Sequence, residues 1–259
     1  MQASAVANSL RADAGIVGTQ PLSGEGAASV FGIFSWQLKL ALGGAVAQSF
    51  QRTLYLEENL MITIIIFDLS DVLITGLTGI EERLQVHLSA PKDEILRQFR
   101  SNTMLDFLLG YCSEEEYLQK LKAEHGWELS VEEIKKIIRE HFKKAIPGTG
   151  EIVTNLANHY PLFLLSDHGR EWVEYIEREH TFLKLFKSRF YSFDLHMRKN
   201  NSDTYAKVLN LINAIPEECL FIDDRPMFLD VAKEVGLSTI RFEDSIQLRA
   251  ALGRYLITI

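Results

Sequence analysis

Residues 61–68 read Met-Ile-Thr-Ile-Ile-Ile-Phe-Asp, an apolar and largely β-branched run that ends abruptly on a carboxylate. A run of this length fits a strand buried on both faces and is too short for a capped helix, so it predicts the core strand of a parallel sheet. Working outward, shorter apolar runs recur at 162–165, 190–193, 220–222 and 238–242, with helical patterning at 170–179, 204–213 and 228–235 between them. Strand and helix alternate, which predicts an α/β fold on a Rossmann-like parallel sheet.

About ninety residues separate the first two strands, far more than an ordinary connection, so they must carry structure of their own. They read as helices over 79–88, 92–99, 113–124 and 130–144, the last two opened by Ser113 with Glu116 and by Ser130 with Glu133, the capping-box spacing. The expectation is a helical cap at 76–146 set into an α/β body made of 61–75 and 147–259, with Pro147-Gly148 marking the return. No internal repeat is visible.

Residues 1–60 are dominated by Ala, Ser, Gly and Gln and offer little from which to build a core. They are expected to be a disordered extension, or a stretch not translated natively, since 57–61 (EENLM) fits a purine-rich ribosome-binding site read through as protein. A signal peptide ending at 45–47 is the competing reading. A membrane span is not expected: Lys39 and Gly43-Gly44 interrupt the apolar run 31–50, and a charge at mid-span costs about 2.5–3.5 kcal/mol.

The 27 Lys and Arg against 35 Asp and Glu leave a formal charge of −8, which repels a phosphate backbone and argues against a nucleic-acid partner. Cys112 and Cys219 are widely spaced with no CxxC or Cys/His cluster, as expected for small buried hydrophobes of a cytoplasmic protein.

Ligands of an open parallel sheet bind at the carboxyl ends of its strands. Those ends carry Asp68, then Ser166-Asp167-His168, then Arg198-Lys199 in the following loop, then Asp223-Asp224-Arg225. Carboxylates converging on one rim need a cation, and hard oxygen donors suit Mg2+. Other polar and aromatic residues read as structural: His168 as a partly exposed loop histidine, Trp36, Trp127 and Trp172 as packing, and 114–116 and 143–144 as solvated helix faces.

The segments IIIFDLSDVL (64–73), LFLLSDHGREW (162–172), Lys199 and CLFIDDRPMFLDVAKEVGLSTIRFED (219–244), in that order, resemble the haloacid dehalogenase superfamily, in particular its members with a helical cap after the first strand. The resemblance spans 61–259. It implies that Asp68 is a nucleophile forming an aspartyl ester, that Ser166 binds phosphoryl oxygens, and that Lys199 offsets charge between nucleophile and substrate. It also implies that Asp223 and Asp224 hold Mg2+ together with Asp68 and the Ser70 carbonyl. The implied activity is a Mg2+-dependent phosphatase acting on a small phosphate monoester. Two alternatives are a non-catalytic binding or regulatory protein of the same fold and a 2-haloacid dehalogenase.

Four positions depart from the family pattern. Ser70 replaces the usual acid/base Asp, whose work is worth roughly 10²–10⁴ in rate; in an extended segment the neighbouring Asp71 faces the other way. Asp167 replaces an amide at the substrate-binding position, Asn200 replaces a Pro and leaves Arg198 as a competitor to Lys199, and Phe228 replaces an Asn or Asp near the metal.

Overall fold

The computed structural model describes residues 61–88, 90–100, 102–255 and 257. The readings of residues 1–60, Trp36 among them, lie outside these. Five parallel strands form one sheet in the order β3-β2-β1-β4-β5: β1 Ile64–Phe67, β2 Leu162–Ser166, β3 Ser188–Tyr191, β4 Cys219–Asp223 and β5 Ser238–Arg241. The MITIIIFD run thus supplies the central strand, with Ile65 in register with Leu162 on one side and Leu220 on the other. Strands β2 and β4 are buried along their whole length, as unbroken apolar runs require.

The third strand lies two residues earlier than its apolar run suggested, and Phe193 falls in the short helix that follows. At the sheet edge one face is solvated, so β3 tolerates Ser188 and Arg189, and Arg189 pairs with Glu177 across 2.7 Å.

Between β1 and β2 the chain runs through α1 Ile80–Leu84, α2 Lys92–Phe99, α3 Asn102–Leu108, α4 Glu114–His125, α5 Val131–Phe142 and α6 Thr149–Ala157. Both expected capping boxes are present: Ser113 and Ser130 accept from the backbone N–H of Glu116 and Glu133, whose carboxylates reach back to the cap N–H groups. Helix α1 is shorter than expected, and α3 and α6 carry no capping signal that announced them. Past β2 come α7 Arg170–Glu179, α8 Ser192–Leu195, α9 Ser202–Leu211, α10 Pro226–Val235 and α11 Ser245–Gly253.

Glu114 is not a solvated charge. It is buried, forms a two-pronged pair with Arg139 of α5, and accepts from Trp172 Nε1 of α7 at 2.6 Å. Being first in α4, it projects sideways into α7, while Glu115 and Glu116 turn outward. Further bonds tie the inserted helices to the sheet body: Ser192 Oγ donates to the Leu108 carbonyl at 2.6 Å, and the His180 Nε2 lies 2.8 Å from that of Phe142. Cys219 is buried and Cys112 half-buried; both are free.

Candidate functional site

The strand ends meet at the rim of a cavity of about 500 Å³, roofed by residues of the insert. Its base is Asp68, the first residue past β1, whose backbone N–H donates to the Ile222 carbonyl of β4 at 2.8 Å. The central position of β1 therefore puts this carboxylate between the ends of β2 and β4. Its Oδ1 accepts from Ser166 Oγ at 2.9 Å and pairs with Lys199 Nζ at 2.7 Å. Lys199 is only 1% exposed and also reaches Asp223 Oδ2 at 2.6 Å. Asp223 is fixed in turn by the Arg225 N–H on its Oδ1 at 2.8 Å.

Oxygen atoms of Asp68, Asp223 and Asp224 all lie within 4.8 Å of one another, a spacing that suits one small cation. The electrostatics fit the same reading. Burial, opposed by Lys199, pushes the Asp223 carboxyl up to about 7, and burial with the nearby charges of Asp68 and Asp71 pushes Asp224 up to about 6. Burial alone would lower the Lys199 ammonium, but the carboxylates of Asp223, Asp68 and Asp167 outweigh it and hold the group above its ordinary value. Carboxylates that are costly to ionise together are those a divalent ion relieves.

The departures from the family pattern have visible consequences. Asp167 is turned away from Asp68: Arg198 Nε donates to its Oδ2 at 3.0 Å and the Lys199 N–H to its Oδ1 at 3.1 Å. Arg198 is therefore engaged with Asp167, and Lys199 is the cation against Asp68. Phe228 is buried, with Lys199 Nζ 4.7 Å from its ring centroid and the Arg225 guanidinium likewise at 4.7 Å.

Two expectations are corrected. His168 is buried at 3% exposure, not partly exposed; its Nε2 sits 2.8 Å from Ser70 Oγ, and the ring lies edge-on to Phe142 and Trp172. Burial pushes its imidazole down to about 4. Helix α7 does not begin until Arg170, so residue 168 still points inward, under the insert. Asp71, expected on the opposite face, lines the same cavity as Asp68 and Ser70. The chain leaves extended geometry there, with Asp71 at φ 59, so strand alternation does not apply. Its carboxylate accepts from Gly76 N–H at 2.8 Å and Thr78 Oγ1 at 2.9 Å, which closes the 71–78 loop.

Reasoning from sequence also missed Arg100, just past the end of α2, and Asn102, Met104, Leu105 and Leu108 of α3, all of which line the cavity. Trp172, read as packing, is part of its wall too. Nothing in one sequence marks which face of an inserted helix will look down on the sheet rim.

The fold and site are those of an α/β protein with a parallel sheet whose central strand ends in a buried carboxylate, on which a lysine and an acidic pair converge. The chain belongs to the haloacid dehalogenase-like hydrolase family, whose model matches residues 65–242. A curated relative, Flavin mononucleotide hydrolase 1 of Arabidopsis thaliana, described as chloroplastic, is 22% identical over 191 residues, covering 73% of this chain and 76% of its own. Among solved structures, a predicted family hydrolase from Porphyromonas gingivalis superposes with TM-score 0.64 at 24% identity, covering 77% of this chain and all of the other. A family enzyme from Bacteroides thetaiotaomicron, in complex with magnesium and inorganic phosphate, gives 0.61 at 18% identity, covering 71% of this chain and 95% of that one. No helix among the described residues is long and apolar enough to cross a membrane.

Proposed function

We propose that this hydrolase is a Mg2+-dependent phosphatase that transfers the phosphoryl group of a small phosphate monoester to Asp68 and then to water. The observation that carries this reading is the geometry at Asp68. One carboxylate oxygen is held by both Ser166 and Lys199, and among the described residues the other accepts no hydrogen bond. That oxygen is oriented to attack phosphorus while the bond to the leaving alcohol breaks. Ser166 and Lys199 would bind phosphoryl oxygens, and Lys199 offsets the repulsion between carboxylate and dianion.

Asp68, Asp223, Asp224 and the Ser70 carbonyl would hold Mg2+, which when bound screens the charge of the phosphoryl group. The magnesium and phosphate bound by the Bacteroides enzyme and the phosphate ester named for the Arabidopsis one support this class of substrate. The inserted helices act as a cap that encloses the leaving group, over a body of 61–75 and 147–259. The clustering of Asp223 and Asp224 with Asp68 favours this reading over a metal-free dehalogenase. The inward placement of Lys199 and the pairing of Asp167 favour it over a non-catalytic binding protein.

The test is hydrolysis of p-nitrophenyl phosphate and a panel of phosphorylated metabolites with and without Mg2+. Turnover that needs the metal and disappears in Asp68→Asn is expected; turnover no greater than that of Asp68→Asn on every ester would end the proposal.

A further inference from the structure

Of the four cationic side chains on the cavity wall, two already have carboxylate partners: Lys199 with Asp68 and Asp223, and Arg198 with Asp167. The guanidinium groups of Arg225 and Arg100 have no carboxylate within ion-pair distance among the described residues, yet both line the cavity. Both residues are exposed, but the Arg225 side chain is in contact with its own helix, where its Nη2 lies 3.5 Å from Met227 Sδ. Its guanidinium lies 4.7 Å from the ring centroid of buried Phe228, and its own N–H is tied to Asp223, so its root is part of the acidic cluster and its head rests on an aromatic shelf. A guanidinium held this way is pre-oriented, and its fork matches a carboxylate or phosphate in two parallel hydrogen bonds. A carboxylate or amide at position 228 would compete for it; a phenyl ring does not.

The part of the wall formed by α3 and α7 has the opposite character. Met104, Leu105 and Leu108 from α3 and Trp172 from α7 present apolar surface, and about 500 Å³ is the volume of a pocket for a whole small molecule, well beyond a phosphoryl group.

We infer that Arg225, supported by Phe228 and joined by Arg100, is a specificity residue for a second anion. The preferred substrates are then phosphate monoesters whose leaving group combines an apolar or aromatic face with a carboxylate or a second phosphate. The inference rests on the phosphatase reading above.

It is tested on the full chain with Mg2+ by comparing naphthyl phosphate, a carboxynaphthyl phosphate and a naphthyl bisphosphate. A preference of about tenfold in kcat/KM for one or both anionic esters is expected, the fold-change of one charge-assisted pair. Arg225→Gln should collapse that preference mainly through KM, Arg225→Lys should restore part of it, and salt should weaken it. The two anionic esters show which group the subsite takes. Equal loss on all three esters, or no preference in the unaltered protein, overturns the inference. If no ester is turned over, the phosphatase reading fails by itself, and calorimetric titration of Asp68→Asn protein with the same ligands still decides. There, adding Arg225→Gln must weaken the anionic ligands relative to naphthyl phosphate, and unchanged relative affinities overturn the subsite.

Discussion

At the scale of single residues, the consequences of Ser70 are the most exposed to measurement. An aryl phosphate leaves as a stabilised phenolate and needs little protonation, whereas an alkyl phosphate needs a proton at the departing oxygen. Turnover should therefore favour aryl over alkyl esters. Ser70→Asp should raise kcat on alkyl esters, by up to roughly 10²-fold, and change it little on aryl ones; equal effects on both would show that protonation is not what Ser70 lacks. The acidic cluster supplies a pH prediction. Asp223 and Asp224 are pushed above the ordinary 3.8 to about 7 and about 6, so in that window the native state binds more protons than the unfolded one. Stability from this source is complete below the unfolded value and is lost as pH rises through the folded ones. His168, pushed down to about 4, acts in the opposite sense on acidification, so the clean readout is the change caused by metal. Mg2+ at 100 times its Kd should stabilise by about 2.7 kcal/mol, roughly 5–11 °C in Tm, and by much less near pH 5, where protons compete for the carboxylates. A thermal shift near pH 5 equal to the one above pH 7, where both carboxyls are largely ionised, would place Mg2+ elsewhere. The positions of Asp68, Asp223 and Asp224 were legible in the sequence because a strand end fixes where a side chain points, whereas Lys199, in the loop beyond the short helix that follows β3, was singled out over Arg198 only through the family resemblance. His168 and Asp71 were not legible, because their directions depend on a loop torsion and on what the insert covers.

At the scale of elements, the helices with explicit end signals were legible, α2 and α7 were legible from apolar patterning without any cap signal, and α3 and α6 were not legible. Ser113 and Ser130 each begin a helix with both capping-box bonds formed. Ser113→Ala should therefore lower stability by about 1 kcal/mol, seen as a shifted denaturant midpoint at unchanged slope. Helix α3 lacks such a signal and owes its place to packing, with Phe107 stacked on Tyr117 at 5.2 Å and edge-on to Trp172 at 4.8 Å. That ring lies against the backbone of Gly169, where a Cβ would stand only 1.9 Å from it. The ring is clamped and cannot yield, so Gly169→Ala should cost about 1–3 kcal/mol and raise KM by disturbing the wall formed by α3. A variant as stable as the parent would mean that the insert slides freely over α7.

At the scale of the whole molecule, the insert and the sheet share one interior. A single apolar cluster runs from Ile65, Phe67 and Leu164 on the sheet through Trp172 to Tyr117, Leu121, Ile134 and Ile138 in the insert. Residues 61–259 likewise form one compact unit. That helices lie between β1 and β2 was legible because about ninety residues between two paired strands are far more than an ordinary loop. The continuity of the core was not, because apolar periodicity shows that a helix face is buried without showing what buries it. Glu114 is the polar fastening within this shared interior, bound to Arg139 in the insert and to Trp172 in the body. Removing one partner of a buried pair leaves the other charge uncompensated, so Glu114→Ala should cost about 3–5 kcal/mol. If the core is shared, that loss must be felt in β1 and β4 as well as in α4 and α5. Hydrogen exchange followed segment by segment should show the most protected amides of all four elements opening with a common free energy, and that value should fall by the same amount throughout in the variant. Protection lost from α4 and α5 alone, with the strands unchanged, would mean that the insert unfolds as a separate body.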